Sequence, residues 1–224
     1  GVIRPRTRHQ IRLAELLGVR AAVSDPLISG ITIDSRLVRP GDLYVALSGA
    51  HHHGAEFAQQ AAAAGAVAIL TDPAGSQLAP EVVVPVVVVE HPRQAMAAVA
   101  ATIYGRPADA LTMCAVTGTN GKTTTTFLLE AALRAGGVST GLVGTVGFRL
   151  NGVALDCVPT TVTTPESTDL QGLLAFLLEE GATTVVMEVS SHALVLGRAE
   201  AISFDVAAFT NLGRDHLDFH RDIE

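Results

Sequence analysis

Leu111-Thr112-Met113-Cys114-Ala115-Val116, closed by Gly118-Thr119-Asn120-Gly121-Lys122-Thr123-Thr124, is the stretch that decides the fold of this 224-residue chain. The apolar run reads as a buried strand, and the glycine-rich turn feeds a helix predicted over Thr123–Arg134. Glycines let backbone N–H groups close around phosphate oxygens, and a helix N-terminus adds partial positive charge. Lys122 is placed to neutralise β- and γ-phosphates, and the Thr123 hydroxyl to sit on Mg²⁺. The eight-residue phosphate-loop template wants Gly where this chain has Val116, so the match is to the shorter core G-x-x-G-K-T. The bland alternative is a tight turn between strand and helix that holds nothing. The flanking strand and helix favour nucleotide binding over it.

Working outward, strands and helices alternate. Upstream, Gly30–Ser35 alternates apolar and polar residues as a strand does, and Asp42–Leu47 gives a second strand after Arg39-Pro40-Gly41. Glu56–Ala64 reads as a helix ended by Gly65, Val67–Thr71 as a third strand, and Pro85–Val89 as a fourth, apolar enough for burial on both faces. Pro92–Ile103 is an alanine-rich helix with Pro92 in its first turn. Tyr104-Gly105-Arg106-Pro107 breaks the pattern, which gives a domain over 1–107 and a second over 108–224. Downstream, Val138–Val143, Thr184–Val189 and Phe204–Phe209 read as strands. Thr164 caps a helix with Pro165 at its first position, running through Leu170, Leu173, Leu174 and Leu177 to Gly181. The fold class is α/β: a small mixed N-terminal domain, then a parallel-sheet phosphate-loop domain that looks unfinished at Glu224.

Composition narrows the function. Hydrophobic residues make up 48% of the chain, so a core is available without disulfide staples; aromatics are 4%, too few for stacking platforms. A net charge of −7 excludes a global basic field for nucleic acid, so an anionic ligand must be held by local donors. The cluster Arg4, Arg6, Arg8 and Arg12 reads as a solvated end. No apolar run approaches the roughly 20 residues of a membrane helix, and the start, with Gly1 in place of Met, lacks the pattern of a signal peptide. Cys114 and Cys157 show no metal spacing and fit a reducing cytoplasm.

Several residues could carry chemistry. Glu188 ends an apolar strand, where a phosphate-loop enzyme needs a carboxylate for Mg²⁺; a solvated strand end is the alternative. His216, between Asp215 and Asp218, is a candidate metal ligand through its neutral imidazole, although a lone His is more often a surface residue. Ser190-Ser191-His192 does not fit a hydrolase nucleophile, since it lacks the strained G-x-S-x-G turn; donors to a phosphate or carboxylate fit better. Arg198 could clamp an anionic group. His51-His52-His53 fits a polar loop before a helix better than a metal cluster, because consecutive residues rarely converge on one ion.

Together the motifs resemble a family. Gly118–Thr123, Thr163-Thr164-Pro165-Glu166, Met187–His192 and Asn211–Asp218 occur in the order and spacing of the Mur ligases of peptidoglycan synthesis. Asp34-Ser35-Arg36, Pro40–Leu47 and His53-Gly54 resemble the branch that adds the third amino acid to a UDP-muramoyl-dipeptide. The resemblance implies an ATP-dependent ligase acting in cell wall biogenesis, and so in cell shape and division. ATP phosphorylates the D-Glu carboxylate of UDP-MurNAc-L-Ala-D-Glu, and an amino acid, diaminopimelate or lysine, attacks the acyl phosphate. By resemblance, Gly118, Thr119, Asn120, Gly121, Lys122, Thr123 and Thr124 hold ATP; Lys122, Glu188 and His216 are catalytic; and Thr123, Glu188 and His216 bind Mg²⁺. Ile33, Ser35, Ala50, His51 and His52 match positions on the UDP end, and Thr163, Thr164, Ser190 and Arg198 positions on the muramoyl-dipeptide end. Leu196 stands where some members carry Gln, so that polar contact is not carried over.

The resemblance further implies a cytoplasmic monomer without nucleic-acid partners or membrane insertion. It places a metal-bridging carbamylated lysine and an amino-acid-binding C-terminal domain beyond Glu224, so the 224 residues are expected to be inactive alone. Rival readings are a MurF-like, MurC-like or folylpolyglutamate ligase and a non-catalytic nucleotide-binding module. A GTPase is disfavoured, because no guanine-reading N-K-x-D occurs.

Overall fold

The computed structural model describes residues 2–18, 24–79, 81–157 and 163–213. The chain divides into two compact units, Arg6–Arg106 on the one hand, and Gly1–Pro5 with Pro107–Glu224 on the other.

The Arg6–Arg106 unit runs β1 (Ile11–Arg12), α1 (Leu13–Leu17), β2 (Leu27–Ile28), β3 (Gly30–Thr32), β4 (Asp42–Ala46), α2 (Ala58–Ala63), β5 (Ala68–Thr71), α3 (Pro73–Leu78), β6 (Val86–Val88) and α4 (Pro92–Ile103). β3-β4-β5-β6 form a four-stranded parallel sheet, and β1 pairs antiparallel with β2. β4 and β5 are buried at every position, as central strands covered on both faces must be. Pro85–Val89 departs from expectation: β6 is the edge of the sheet, Val86 and Val87 are half-buried, and Val88 is exposed. An apolar run shows that a strand forms, but not which strand ends the sheet. Glu56–Ala64 divides into a 3₁₀ turn over Gly54–Phe57 and α2, because His53 caps the chain earlier than the apolar pattern begins.

The second unit continues with β7 (Thr112–Thr117), α5 (Lys122–Ala135), β8 (Thr140–Gly144), β9 (Gly147–Leu150), β10 (Val153–Ala154), α6 (Ser167–Glu179), β11 (Thr184–Glu188), α7 (Ser191–Val195) and β12 (Val206–Phe209). Its sheet has the order β10-β9-β8-β11-β7-β12; β8, β11, β7 and β12 are parallel, and β9 and β10 form an antiparallel edge. Leu170, Leu173, Leu174 and Leu177 on one face of α6 bury against Met113, Val143, Val185 and Met187 of the sheet. The helix starts later than the sequence predicts. Its N-cap is Glu166, because the Thr164 hydroxyl donates instead to the Glu188 carbonyl at 2.9 Å and accepts the Ser190 N–H at 3.2 Å.

Candidate functional site

The carboxyl ends of β7, β11, β8 and β12 share one edge. From β7 the chain passes through α5 to β8, which lies beyond β11, while β12 lies on the other side of β7. Such a reversal opens a crevice at the carboxyl ends of the strands, the usual ligand position in open α/β sheets. The glycine-rich turn leaves β7 there.

Two glycines shape the turn. Gly118 has φ +128°, and a Cβ on it would strike Thr210 Oγ1 and approach the Asn211 O and N atoms at 2.9 and 3.0 Å. Gly121, at φ +83°, is the N-cap of α5 and brings no side chain to cap it. The first-turn N–H groups of this helix therefore face the crevice without a side-chain cap at that position. The turn is braced from behind by the segment after β12. Thr119 N–H donates to the Asn211 carbonyl at 2.9 Å, Asn120 N–H donates to Asn211 Oδ1 at 3.0 Å, and Asn211 Nδ2 donates to the Asn120 carbonyl at 3.0 Å. Thr210 Oγ1 lies 2.7 Å from the Asn120 carbonyl. Lys122 Nζ donates to the carbonyls of Gly118 and Thr119 at 2.6 and 3.0 Å, which holds the ammonium across the turn.

Glu188 ends β11 with 1% of its surface exposed. Oε2 accepts the Thr123 hydroxyl at 3.0 Å, and Thr145 engages both oxygens, its N–H on Oε1 at 3.0 Å and its hydroxyl on Oε2 at 3.0 Å. The Thr145 hydroxyl also lies 3.2 Å from Thr163 Oγ1. Gly144 leaves room for the carboxylate, since a Cβ there would strike Glu188 Oε1. A buried carboxylate beside a hydroxyl offers hard oxygen donors, the chemistry that suits Mg²⁺. Among the described residues no three His, Cys, Asp or Glu side chains form a metal cage. His216 lies outside the described residues.

Thr163 and Thr164 lie beside this centre, Thr163 through Thr145 and Thr164 through the Glu188 main chain. Ser190 Oγ accepts the Ala193 N–H at 3.2 Å and so caps α7. Arg198 is held inside the protein. Its Nε and Nη2 donate to Glu166 Oε1 at 3.0 and 2.7 Å, and Nη1 donates to the Thr164 carbonyl at 3.1 Å. Three of its five N–H donors are thereby engaged.

In the Arg6–Arg106 unit the parallel strands again bring loop ends to one edge. Ile33 and Ser35 follow β3, and Ala50, His51 and His52 follow β4. Asp34 caps the turn at Ser35 by accepting the Arg36 N–H, and the Arg36 guanidinium grips its carboxylate at 2.9 and 2.7 Å. That side-chain hydrogen bond holds the Asp34 pKa below its ordinary value. Ala50, His51 and His52 are exposed, and His52 Nδ1 lies 3.1 Å from Glu56 Oε2. His53 pins the loop. Its Nδ1 accepts the Ala55 N–H at 3.0 Å, so the ring proton belongs on Nε2, which meets the Asp72 carboxylate at 3.2 Å. Buried Tyr44 donates its hydroxyl to the Gly54 carbonyl at 2.9 Å; desolvation first, and the Asp34 charge second, push its pKa up to about 12, so it stays a donor.

Sequence reasoning missed Thr145, Gly144 and the Thr210-Asn211 brace. Asn211 opens the Asn211–Asp218 motif and could have been found there, whereas Thr210 lies just before it. Thr145 stands in an unremarkable Gly-Thr-Val-Gly turn and gives no such signal.

The Mur ligase middle domain matches residues 116–224, and the Mur ligase family catalytic domain matches residues 27–104. The chain belongs to the Mur ligase family. Among curated Mur ligases, the UDP-N-acetylmuramoyl-L-alanyl-D-glutamate--2,6-diaminopimelate ligase of Streptomyces coelicolor is 53% identical over 212 residues, covering 95% of this chain and 41% of that protein. The Corynebacterium glutamicum ligase of the same name is 49% identical over 202 residues, covering 89% and 38%. The chain thus spans about two fifths of the length of these curated relatives. A solved UDP-N-acetylmuramoyl-L-alanyl-D-glutamate--2,6-diaminopimelate ligase superposes with a TM-score of 0.76 at 28% identity, over 95% of this chain and 42% of that one. MurF ligase from Thermotoga maritima, solved in complex with ADP, shares the fold at a TM-score of 0.59 and 24% identity, over 87% of this chain and 40% of that one.

Proposed function

We propose that the protein is the ATP-dependent ligase that joins 2,6-diaminopimelate to UDP-N-acetylmuramoyl-L-alanyl-D-glutamate in the cytoplasmic stage of peptidoglycan synthesis, and that it acts as a monomer. The carrying observation is the phosphate-loop Thr123 hydroxyl 3.0 Å from the buried Glu188 carboxylate, at the carboxyl edge of the sheet. The names of the relatives at 53% and 49% identity support diaminopimelate over lysine as the incoming amino acid.

In this reading the γ-phosphoryl group of ATP passes to the D-Glu carboxylate, and an amine displaces phosphate from the acyl phosphate to form the amide. Gly118 to Thr124 bind the phosphates with main-chain N–H groups, and Lys122 leaves the loop carbonyls to neutralise them. Thr123 and Glu188 hold Mg²⁺, with His216 as a further ligand. The ion supplies charge neutralisation on the phosphates. Thr163, Thr164 and Ser190 receive the muramoyl-dipeptide end, and Arg198 turns its two remaining N–H donors to it while Glu166 fixes the guanidinium. Residues 1–107 take the UDP end through Ile33, Ser35, Ala50, His51 and His52. Residues 108–224 are the first part of the ATPase domain.

Calorimetric titration of the 224-residue chain with UDP-muramoyl-dipeptide and UDP-muramoyl-tripeptide tests the substrate. Dipeptide preference is expected. Tripeptide preference would reassign the protein to a ligase that acts one step later.

A further inference from the structure

We propose that Thr145 is the positioning residue that fixes the Glu188 carboxylate for the metal and ties it to the loop at Thr163; this rests on the reading of Glu188 as a Mg²⁺ ligand. Thr123 reaches one oxygen of Glu188, whereas Thr145 reaches both, through its N–H and its hydroxyl. A carboxylate held at both oxygens by one residue cannot turn about its Cγ–Cδ bond without breaking a hydrogen bond. Thr123 can therefore change partner while the plane of Glu188 stays set. The absence of a Cβ at Gly144 lets the carboxylate lie directly against the chain that leads into Thr145.

The proton count gives the network a direction. The Thr145 hydroxyl has one proton and two neighbours, Glu188 Oε2 at 3.0 Å and Thr163 Oγ1 at 3.2 Å. A carboxylate only accepts, so that proton points to Glu188 and the Thr163 hydroxyl donates to Thr145. Thr163, on the substrate side, thereby polarises the hydroxyl that orients the metal-side carboxylate. Partners that orient a ligand in this way typically contribute about 10- to 100-fold to metal affinity.

The test measures Mn²⁺ affinity of the 224-residue chain in the presence of ADP, and ADP affinity in EDTA. Thr145→Val keeps the N–H and removes the hydroxyl. It is expected to weaken Mn²⁺ binding about 10-fold with ADP affinity in EDTA unchanged, while the lost hydroxyl bonds lower the melting temperature only modestly and the chain stays folded under the assay conditions. Thr145→Ser is expected to stay within about twofold of wild type, because the hydroxyl is retained. Wild-type Mn²⁺ affinity in Thr145→Val, or equal losses in the valine and serine variants, would overturn the role of Thr145 alone. ADP binding by the wild type without any dependence on Mn²⁺ would overturn the metal reading of Glu188, and Thr145 with it.

Discussion

Gly118→Ala tests the phosphate turn where its geometry is least forgiving. At φ +128° an L-residue is strained by about 1–3 kcal/mol. The new Cβ also meets Thr210 Oγ1 and the Asn211 main chain, with Asn211 O and N at 2.9 and 3.0 Å. Main-chain atoms cannot yield as a flexible side-chain end can. Either the turn or the segment after β12 must shift, and the three hydrogen bonds between Asn211 and Thr119-Asn120 are then strained or lost, at about 0.5–1.5 kcal/mol each. Strain and two lost bonds together come to about 2–6 kcal/mol. If ATP requires the wild-type path of the turn, the lower bound alone is a loss of affinity of about 30-fold. Gly121→Ala is the control. Its φ is also positive, at +83°, but nothing lies within 4 Å of the added Cβ, so it costs only about 1–2 kcal/mol. The assay is titration of Mg²⁺·ATP alongside thermal denaturation of both variants. Equal losses in the two variants, or wild-type affinity in Gly118→Ala, would refute the argument that the brace holds the turn.

Glu188→Gln keeps the shape of the side chain and removes its charge; it should lower Mg²⁺·ATP affinity at least about 10-fold while the melting temperature hardly moves, and unchanged affinity would remove Glu188 from the metal site. Glu130→Ala removes a buried carboxylate that accepts from part-exposed Arg149 Nε at 3.2 Å and from Gly152 N–H at 3.0 Å; urea unfolding should show a loss of about 1.5–3 kcal/mol, and a loss below about 0.5 kcal/mol would contradict it. Three carboxylates of the Arg6–Arg106 unit have depressed pKa values: Asp34 by the Arg36 side chain, Glu56 by the His53 N–H and Asp72 by the Gly75 N–H. Depression of a folded-state pKa adds stability above the unfolded value and loses it as pH falls through the folded one, so the stability of this unit should decline below about pH 4. Arg36→Gln should flatten that acid limb, and an unchanged pH profile would show that the Asp34 pair contributes nothing.

The strands were the most legible part of the fold. Met113–Val116, Val185–Met187 and Leu43–Ala46 are buried on both faces, and such strands appear in a sequence as unbroken apolar runs. Helix α4 was bounded correctly because Pro92 fixes its first turn, and the α6 leucines kept a clean helical period. Errors arose where a side chain took a main-chain partner. Gly30–Ser35 stops being a strand at Thr32 because Asp34 captures the Arg36 N–H, and Thr164 does not start a helix because it is bonded to Glu188 and Ser190. The hairpin of β9 and β10 was not foreseen at all, since a short half-buried strand and a two-residue exposed one around Asn151-Gly152 carry little periodicity. In the site, Thr123 and Glu188 were paired because a phosphate-loop enzyme needs a carboxylate at the tip of a neighbouring strand, and the two lie 3.0 Å apart. The closure of Arg198 on Glu166 and of Thr145 on Glu188 joins residues 32 and 43 positions apart, and no local pattern announces such pairs.

A crystal of the chain grown with ADP and Mn²⁺, with the metal located by its anomalous signal, tests the central claim most directly. The account predicts the β-phosphate against the N–H groups of Gly118 to Thr123, and a manganese peak within about 2.2 Å of oxygens from Thr123 and Glu188 or of waters that they hold. A nucleotide seated elsewhere, with Thr123 still donating to Glu188 and no metal beside them, would contradict it.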